Sequence, residues 1–400
     1  RPEKDVLRIG VAKTLDMAPL AVAIDERFLE EVDLQVILEP QSSWKTAFDR
    51  LVTGDLDAAQ LLPAQPLAAA AGLGPKASLL VPFAFGPARA SLVLPNDVAI
   101  GLTEAAAAAG PLHAAIDRAA AEGRRLSLGV ASRFATEALA LRHWLAESGI
   151  HPGFHGPAGS ADDVDAEIAI SVLPPPQMPT TLVEGAIAGF AAAEPWPHIA
   201  RAKAIGRPVV ATSAIVGRVP GSVLAVAAPW AEAHPQTLTT LLVALQRAAR
   251  WLDAGDGRNH PAAARLLTAS DRLGADEGVI AAALAASRET GGFFEDFASE
   301  PFLDDAVWAL AEMRRWGMIE TAPDDAWYAA LAAAVERPDL HRAAGLRLVA
   351  EGRAEAGDFD GSGHRRAALS LLGRPAGFDA AHPNAHLAAC AIGRGGAPGR

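Results

Sequence analysis

Two short β-branched runs, residues 5–12 (Asp-Val-Leu-Arg-Ile-Gly-Val-Ala) and 34–38 (Leu-Gln-Val-Ile-Leu), flank a stretch of helical periodicity. This strand, helix, strand spacing constrains the chain more than any other feature. Strands joined in this way pair in parallel through a right-handed crossover. The alternation continues with a helix over 44–51 and a strand over 58–62. It then starts again with a strand over 126–130, a helix over 136–147, a strand over 167–172, a helix over 179–186 and a strand over 189–193. Two α/β sets are therefore predicted. The segment 103–125 is Ala-rich with Glu104, Asp117, Arg118, Glu122 and Arg124 interspersed, which reads as helix with a charged outer face.

Beyond residue 223 the pattern turns helical, with helices predicted over 230–253, 261–267, 277–287, 303–315 and 325–334. These are expected to pack on the first lobe. The tail from Gly352 is rich in Gly, Ala, Arg and Pro, so its last stretch is expected to be extended or mobile. No repeat of solenoid period is visible.

Four hundred residues exceed what one core usually serves, which also points to two lobes. With 50% apolar and 20% charged residues, wholesale disorder is excluded. The 35 Lys and Arg against 47 Asp and Glu leave a net charge of −12, a field that repels phosphate backbones, so no direct nucleic-acid ligand is expected. The single cysteine, Cys390, can form neither an internal disulfide nor a thiolate metal cluster. The most apolar stretch, 61–94, is interrupted by Gln65, Lys76, Arg89 and several prolines, which argues against a membrane span.

Signatures of catalysis are missing: there is no nucleophile elbow, phosphate-cradling loop, zincin motif or full dinucleotide fingerprint. His151 and His155 are separated by Pro152 and Gly153, so they share no helix face and read as a loop. Asp253-Ala-Gly-Asp-Gly and Asp358-Phe-Asp-Gly lack the spaced oxygen ligands of a calcium loop and read as turns. Neither a metal, a cofactor nor an enzymatic activity is predicted.

Three constellations suit binding. Trp44 follows a strand and heads a helix within Gln41-Ser-Ser-Trp-Lys-Thr, where backbone N–H groups and hydroxyls can meet an anion. The alternative is that Ser42 or Ser43 caps the helix and Trp44 packs in the core. Gln177 ends the stiff loop Val172-Leu-Pro-Pro-Pro-Gln, where its amide serves as donor and acceptor or simply faces water. Glu194 and Trp196 end the strand over 189–193, where α/β proteins place ligands; they could equally satisfy backbone groups and core packing.

Taken in order, several segments resemble the nitrate/bicarbonate-type solute-binding proteins of ABC importers. They are Asp16-Met-Ala-Pro-Leu, Ser43-Trp44, Asp49-Arg-Leu-Val-Thr-Gly-Asp-Leu-Asp-Ala-Ala-Gln, Leu141-Arg-His-Trp-Leu-Ala-Glu-Ser-Gly-Ile, Pro174-Pro-Pro-Gln-Met, Glu194-Pro-Trp and Phe378-Asp-Ala-Ala-His-Pro-Asn-Ala-His-Leu. The resemblance runs from about Leu7 to Leu387. It implies an α/β two-lobed clamshell of the periplasmic-binding-protein class (type II-like), with extra C-terminal helices on the first lobe. Lobe I would comprise 1–90 and 208–400, and lobe II 91–207. A small oxyanion would sit between the lobes, and an ABC permease and ATPase would be the partners of a monomer. Carried over by position, Trp44 and Thr136 match pocket residues, and Gln177 and Glu194 match motif residues.

The chain departs from the family at two positions. Ala88 stands where nitrate binders present an amide, and Ser222 where they present a lysine. Losing both groups weakens nitrate binding by roughly 2 to 5 kcal/mol, or ~30- to several-thousand-fold, unless another group substitutes. Arg89 is the residue placed to restore the charge, its alternative being a surface arginine. The leading expectation is an importer's binding component, periplasmic if the chain is a processed form. The competing one is a cytoplasmic nitrate or nitrite sensor of the same fold that sequesters an RNA-binding antiterminator. An enzyme of the thiamine-precursor type on this fold would need a reactive cysteine or clustered histidines, which Cys390 alone in the tail does not supply.

Overall fold

A computed structural model describes residues 1–99, 109–155, 166–359, 369–372 and 374–395. Glu104, the end of the Asp358-Phe-Asp-Gly segment and the last five residues of the tail lie outside the described residues. The main strands are β1 (Val6–Val11), β2 (Gln35–Pro40), β3 (Ala58–Leu61), β4 (Leu79–Ala84), β5 (Ala90–Pro95), β6 (Leu126–Val130), β7 (Ile168–Val172), β8 (Gly189–Ala193), β9 (Gly206–Ala211) and β10 (Val223–Ala227). The chain divides into two compact units. Unit 1 comprises Arg1–Pro87, Arg218–Ala306 and Leu331–Ala367; unit 2 comprises Ala88–Gly217, Val307–Ala330 and Ala368–Arg400.

Unit 1 is built on a five-stranded sheet of order β2-β1-β3-β10-β4. The first three strands are parallel, as the strand, helix, strand pattern predicts, and β10 runs antiparallel to both β3 and β4. Leu7, Ile9 and Val11 of β1 are fully buried; they join Met17, Phe83, Phe85, Leu224 and Leu241 in one core. The helix Trp44–Val52 starts where the Ser43 hydroxyl accepts from the Thr46 N–H at 3.0 Å, a side-chain cap, and it buries Ala47, Phe48 and Leu51.

Unit 2 repeats the plan with the order β7-β6-β8-β5-β9. Strands β6, β7 and β8 are parallel and β5 is antiparallel to β8. The helix Thr136–Glu147 is buried from Thr136 to Ala146, so it is a core helix covered on every side. Val93, Met178, Phe190 and Ala200 form a second apolar cluster, with Trp196 packed against it.

The helical part differs from expectation in four respects. The helix predicted over 230–253 is two helices, Ala228–Ala233 and Pro235–Gly257, because Pro235 cannot continue the first and opens the second; within the latter, backbone angles leave the helical range at Ala254. A further helix, Pro338–Ala350, was not predicted. The tail forms a hairpin of β11 (Leu369–Leu371) and β12 (Arg374–Phe378), followed by the helix Pro383–Ala388. Finally, the segment 307–330 and the tail from Ala368 cluster with unit 2 and not with unit 1, and the other divisions fall after Pro87 and Gly217, not after 90 and 207. Long-range hydrogen bonds explain the tail's allegiance: the Leu372 N–H donates to the Ile215 carbonyl at 2.9 Å, a contact that local patterning cannot reveal.

Asp253, read as part of a turn, accepts from the backbone N–H groups of Phe293, Phe294 and Glu295. Its carboxylate thus caps a loop. Gly292 (φ +65°) is required there, since a Cβ would lie 2.6 Å from that carboxylate. No helix of the described residues is long and apolar enough to cross a membrane.

Candidate functional site

In both sheets the chain order reverses beside the first of the three parallel strands, β1 in one and β6 in the other. Open α/β sheets bind ligands outside the carboxyl ends of their strands at such a switch point. The residues singled out from the sequence fall at these ends. Trp44 follows β2, Thr136 follows β6, Gln177 follows β7 and Glu194 follows β8. Because β10 and β5 run antiparallel, Ser222 and Arg89, which immediately precede them, reach the same edges of their respective sheets.

In unit 1 the edge is organised by Gln60, fully buried on β3. Its Oε1 accepts from the Ala12 N–H at 3.1 Å, and its Nε2 donates to Thr14 Oγ1 at 3.1 Å and to Ser222 Oγ at 3.0 Å. Ser222 in turn donates to Asp16 Oδ2 at 2.8 Å. A serine hydroxyl can donate one hydrogen bond, and here it goes to Asp16. Ser222 is 1% exposed, so it is a member of an internal network and not a donor held out to solvent. Thr14, Asp16 and Gln60 were not singled out as site residues. The signal available was three polar side chains at the ends of two apolar strands.

Trp44 is half-buried, so it is not a sealed core residue, while Ser43 does cap the helix. Its carbonyl accepts from Gln65 Nε2 at 3.0 Å, and Gln65 Oε1 accepts from the Leu62 N–H at 3.0 Å. The indole is therefore carried on a first helical turn fastened to the neighbouring β3-to-helix loop.

In unit 2 the edge carries charge. Arg89 is 4% exposed and Glu194 is 7% exposed, which removes the surface-arginine alternative. The Glu194 N–H donates to the Arg89 carbonyl at 2.7 Å, and Glu194 Oε2 lies 2.8 Å from His198 Nδ1. Thr136 is buried in the first turn of its helix, and Gln177 is exposed at the end of its proline loop. Ala88 is 1% exposed and contributes no side-chain donor. Trp196 packs on the apolar cluster, in line with the core alternative.

Unit 1 also contains a cavity of about 620 Å³ lined by Arg250, Asp253, Phe294, Glu295 and Asp358, and none of the six predicted site residues borders it. Among the described residues one group has the ligand types and proximity to hold a metal ion: His143, Glu312 and His386, all buried in unit 2.

Against known proteins, the chain matches the NMT1-like family over residues 1–268. It is 26% identical over 386 residues to the nitrate/nitrite binding protein NrtA of Synechococcus elongatus, covering 90% of this chain and 82% of that one. It is 28% identical over 354 residues to the nitrate import ATP-binding protein NrtC of Synechocystis sp., covering 84% of this chain but 49% of that one, so the chain spans about half the length of that relative. In structure it superposes on the periplasmic nitrate-binding protein NrtA of Synechocystis PCC 6803 with a TM-score of 0.82 at 23% identity, over 98% of this chain and 100% of that one. With its two α/β units built on that periplasmic-binding-protein fold, the chain belongs to the NMT1-like family.

Proposed function

We propose that this chain is the solute-binding component of an ABC importer for a small oxyanion of the nitrate, nitrite and bicarbonate class. Trp44 of unit 1 and Arg89, Thr136, Gln177 and Glu194 of unit 2 are the ligand-binding residues, and Ser222 acts through Asp16 and Gln60. An ABC permease and ATPase are the partners, the periplasm is the compartment, and no turnover takes place. The observation that carries this reading is the half-buried Trp44 at the carboxyl edge of the unit 1 sheet, the edge whose strand ends are fixed by the buried network of Thr14, Asp16, Gln60 and Ser222 at the β1/β3 switch point. Four polar side chains are concentrated where this sheet topology binds ligands. The likeness to nitrate-binding relatives supports the same class of solute.

The chemistry of the two edges bears on selectivity. An oxyanion leaving water needs replacement hydrogen bonds and a compensating charge. The Ser222 hydroxyl already donates its hydrogen bond to Asp16 and Ala88 has no donor to offer, so the charge falls to Arg89. The test is titration of the purified chain with nitrate, nitrite, bicarbonate and cyanate, read by tryptophan fluorescence and by the unfolding midpoint. At least one of these anions is expected to shift both signals in a saturable way. Silence across the whole panel refutes the assignment.

A further inference from the structure

About two turns along the helix from Thr136, His143 meets two residues from distant parts of the chain. They are Glu312, from the helix Leu303–Arg315, and His386, from the helix Pro383–Ala388. All three side chains are buried, and one ligand atom from each lies within 4.8 Å of the others. Glu312 Oε1 is 3.5 Å from His143 Nδ1 and 3.6 Å from His386 Nε2. Both separations exceed the ~2.7–3.2 Å of an N–H···O hydrogen bond. They match the spacing around a tetrahedral metal instead: ligand atoms bound at about 2.0–2.2 Å from zinc lie about 3.3–3.6 Å apart.

The surroundings orient the ligands. His143 Nε2 is 3.2 Å from the Leu372 carbonyl, which can only accept, so that nitrogen carries the proton and Nδ1 presents its lone pair toward Glu312. Glu312 Oε2 accepts from Trp316 Nε1 at 2.8 Å, leaving Oε1 for the shared centre. The imidazoles of His143 and His386 lie near-parallel, 15° apart. Arg315 competes for the same place, with Nη1 3.0 Å from His143 Nδ1 and 3.5 Å from Glu312 Oε1. Its guanidinium also reaches Glu147 at 3.3 Å and the Ile392 carbonyl at 2.9 Å, so it keeps partners on releasing Nδ1.

We propose that His143 Nδ1, Glu312 Oε1 and His386 Nε2 bind one zinc ion. Two neutral imidazoles and a carboxylate form a ligand set suited to it. Three protein ligands leave a fourth position for water, and Cys390 Sγ lies 3.9 Å from His386 Nε2. The ion joins a core helix of unit 2 to the C-terminal segment, three elements that the chain itself leaves far apart. Its binding free energy therefore acts as folding free energy for the tail.

The test uses the untagged full chain, stripped with a chelator, dialysed and given one equivalent of zinc chloride. One zinc per chain is expected to stay bound through gel filtration. It should raise the unfolding midpoint by several degrees and slow proteolysis of the tail, and EDTA should reverse both effects. His386→Gln, near the chain end, should fold and bind zinc at least ~10-fold more weakly. Should that variant fail to fold, cobalt in the native chain decides, with the intense visible bands of tetrahedral coordination expected. No retained zinc, equal zinc affinity in His386→Gln, or an octahedral cobalt spectrum overturns the proposal and leaves an ion-pair network around Arg315.

Discussion

The two units use one strand plan for different chemistry. In each, three parallel strands reverse order beside the first of them, and an antiparallel strand follows. In unit 1 that strand is preceded by Ser222, whose hydroxyl is absorbed into a network with Asp16, Gln60 and Thr14. In unit 2 the matching position is Arg89, beside a buried Glu194 paired with His198. The backbone decides where functional side chains emerge, and the residue identities decide what each edge can do. Unit 1 presents a half-buried indole and a self-satisfied network around the Asp16 carboxylate; unit 2 presents a buried arginine beside a carboxylate.

The largest effect that probes this comparison is acid stability, because each unit holds a neutral histidine. In unit 1 His341 is pushed down to about 3 by burial and by the Arg342 guanidinium, with Ser299 as its hydrogen-bond partner at 3.0 Å. In unit 2 His155 is pushed down to about 3 by burial and by Arg142 and Arg133. A folded-state value below the unfolded one means the unfolded chain binds the proton first. The resulting stability is complete above about pH 6.5 and is lost as the pH falls toward 3. The share from His341 lost by pH 4 is roughly 3 kcal/mol, and that from His155 is smaller, because solvent reaches part of its ring. Unfolding midpoints at pH 7 and pH 4 for the native chain, His341→Gln and His155→Gln check this. Each variant should lose less on acidification, His341→Gln more visibly; equal acid sensitivity in all three would show that neither ring is held neutral.

Next in size is the contrast between the networks themselves. Gln60→Leu strands the Ala12 N–H and removes a donor from Thr14 and Ser222, at a cost of about 2 to 3 kcal/mol. Thr136→Val, at the corresponding edge of unit 2, keeps its shape and should cost no more than about 1 kcal/mol. Chemical denaturation of both variants measures the difference, and comparable losses would mean that the unit 1 network is no tighter than its counterpart.

The smallest effect concerns the ligand. Trp44→Ala is expected to weaken binding of whichever anion the titration identifies by about tenfold, or ~1.4 kcal/mol, with little change in stability, since the ring is only half-buried. Gln177→Ala, exposed in its stiff loop, should weaken it less. Isothermal titration distinguishes the two, and a larger effect at Gln177 would reverse the assignment of the aromatic wall to unit 1.

Much of the strand-end geography was legible beforehand. Ser43 and Trp44 after one strand, and Glu194 after another, stand at boundaries marked by local composition, and the helix caps and proline stops there depend on residues a few positions apart. The role of Ser222 was not legible. Its hydrogen-bond acceptor, Asp16, is 206 residues away and its donor, Gln60, is 162 residues away, so nothing in the local sequence could have shown that its hydroxyl was already committed. Nothing in the sequence gives reason to expect a metal, because a zincin motif, the His151/His155 spacing, calcium-loop fragments and the lone cysteine are all local signals, blind to a group drawn from residues 143, 312 and 386.

By itself the sequence determined the alternation of strand and helix, the apolar faces and the capped start of the Trp44 helix, because hydrophobic period and capping act over one or two turns. Only the tertiary structure decided the antiparallel entry of β10 and β5 between strands made earlier or later in the chain. It also decided the tail's attachment to unit 2 and the meeting of His143, Glu312 and His386. The physical reason is the same in each case: a hydrogen bond or a coordination sphere is satisfied by whatever polar group is close in space. Closeness between residues far apart in sequence is set by the order of strands in a sheet, which no short window of residues encodes.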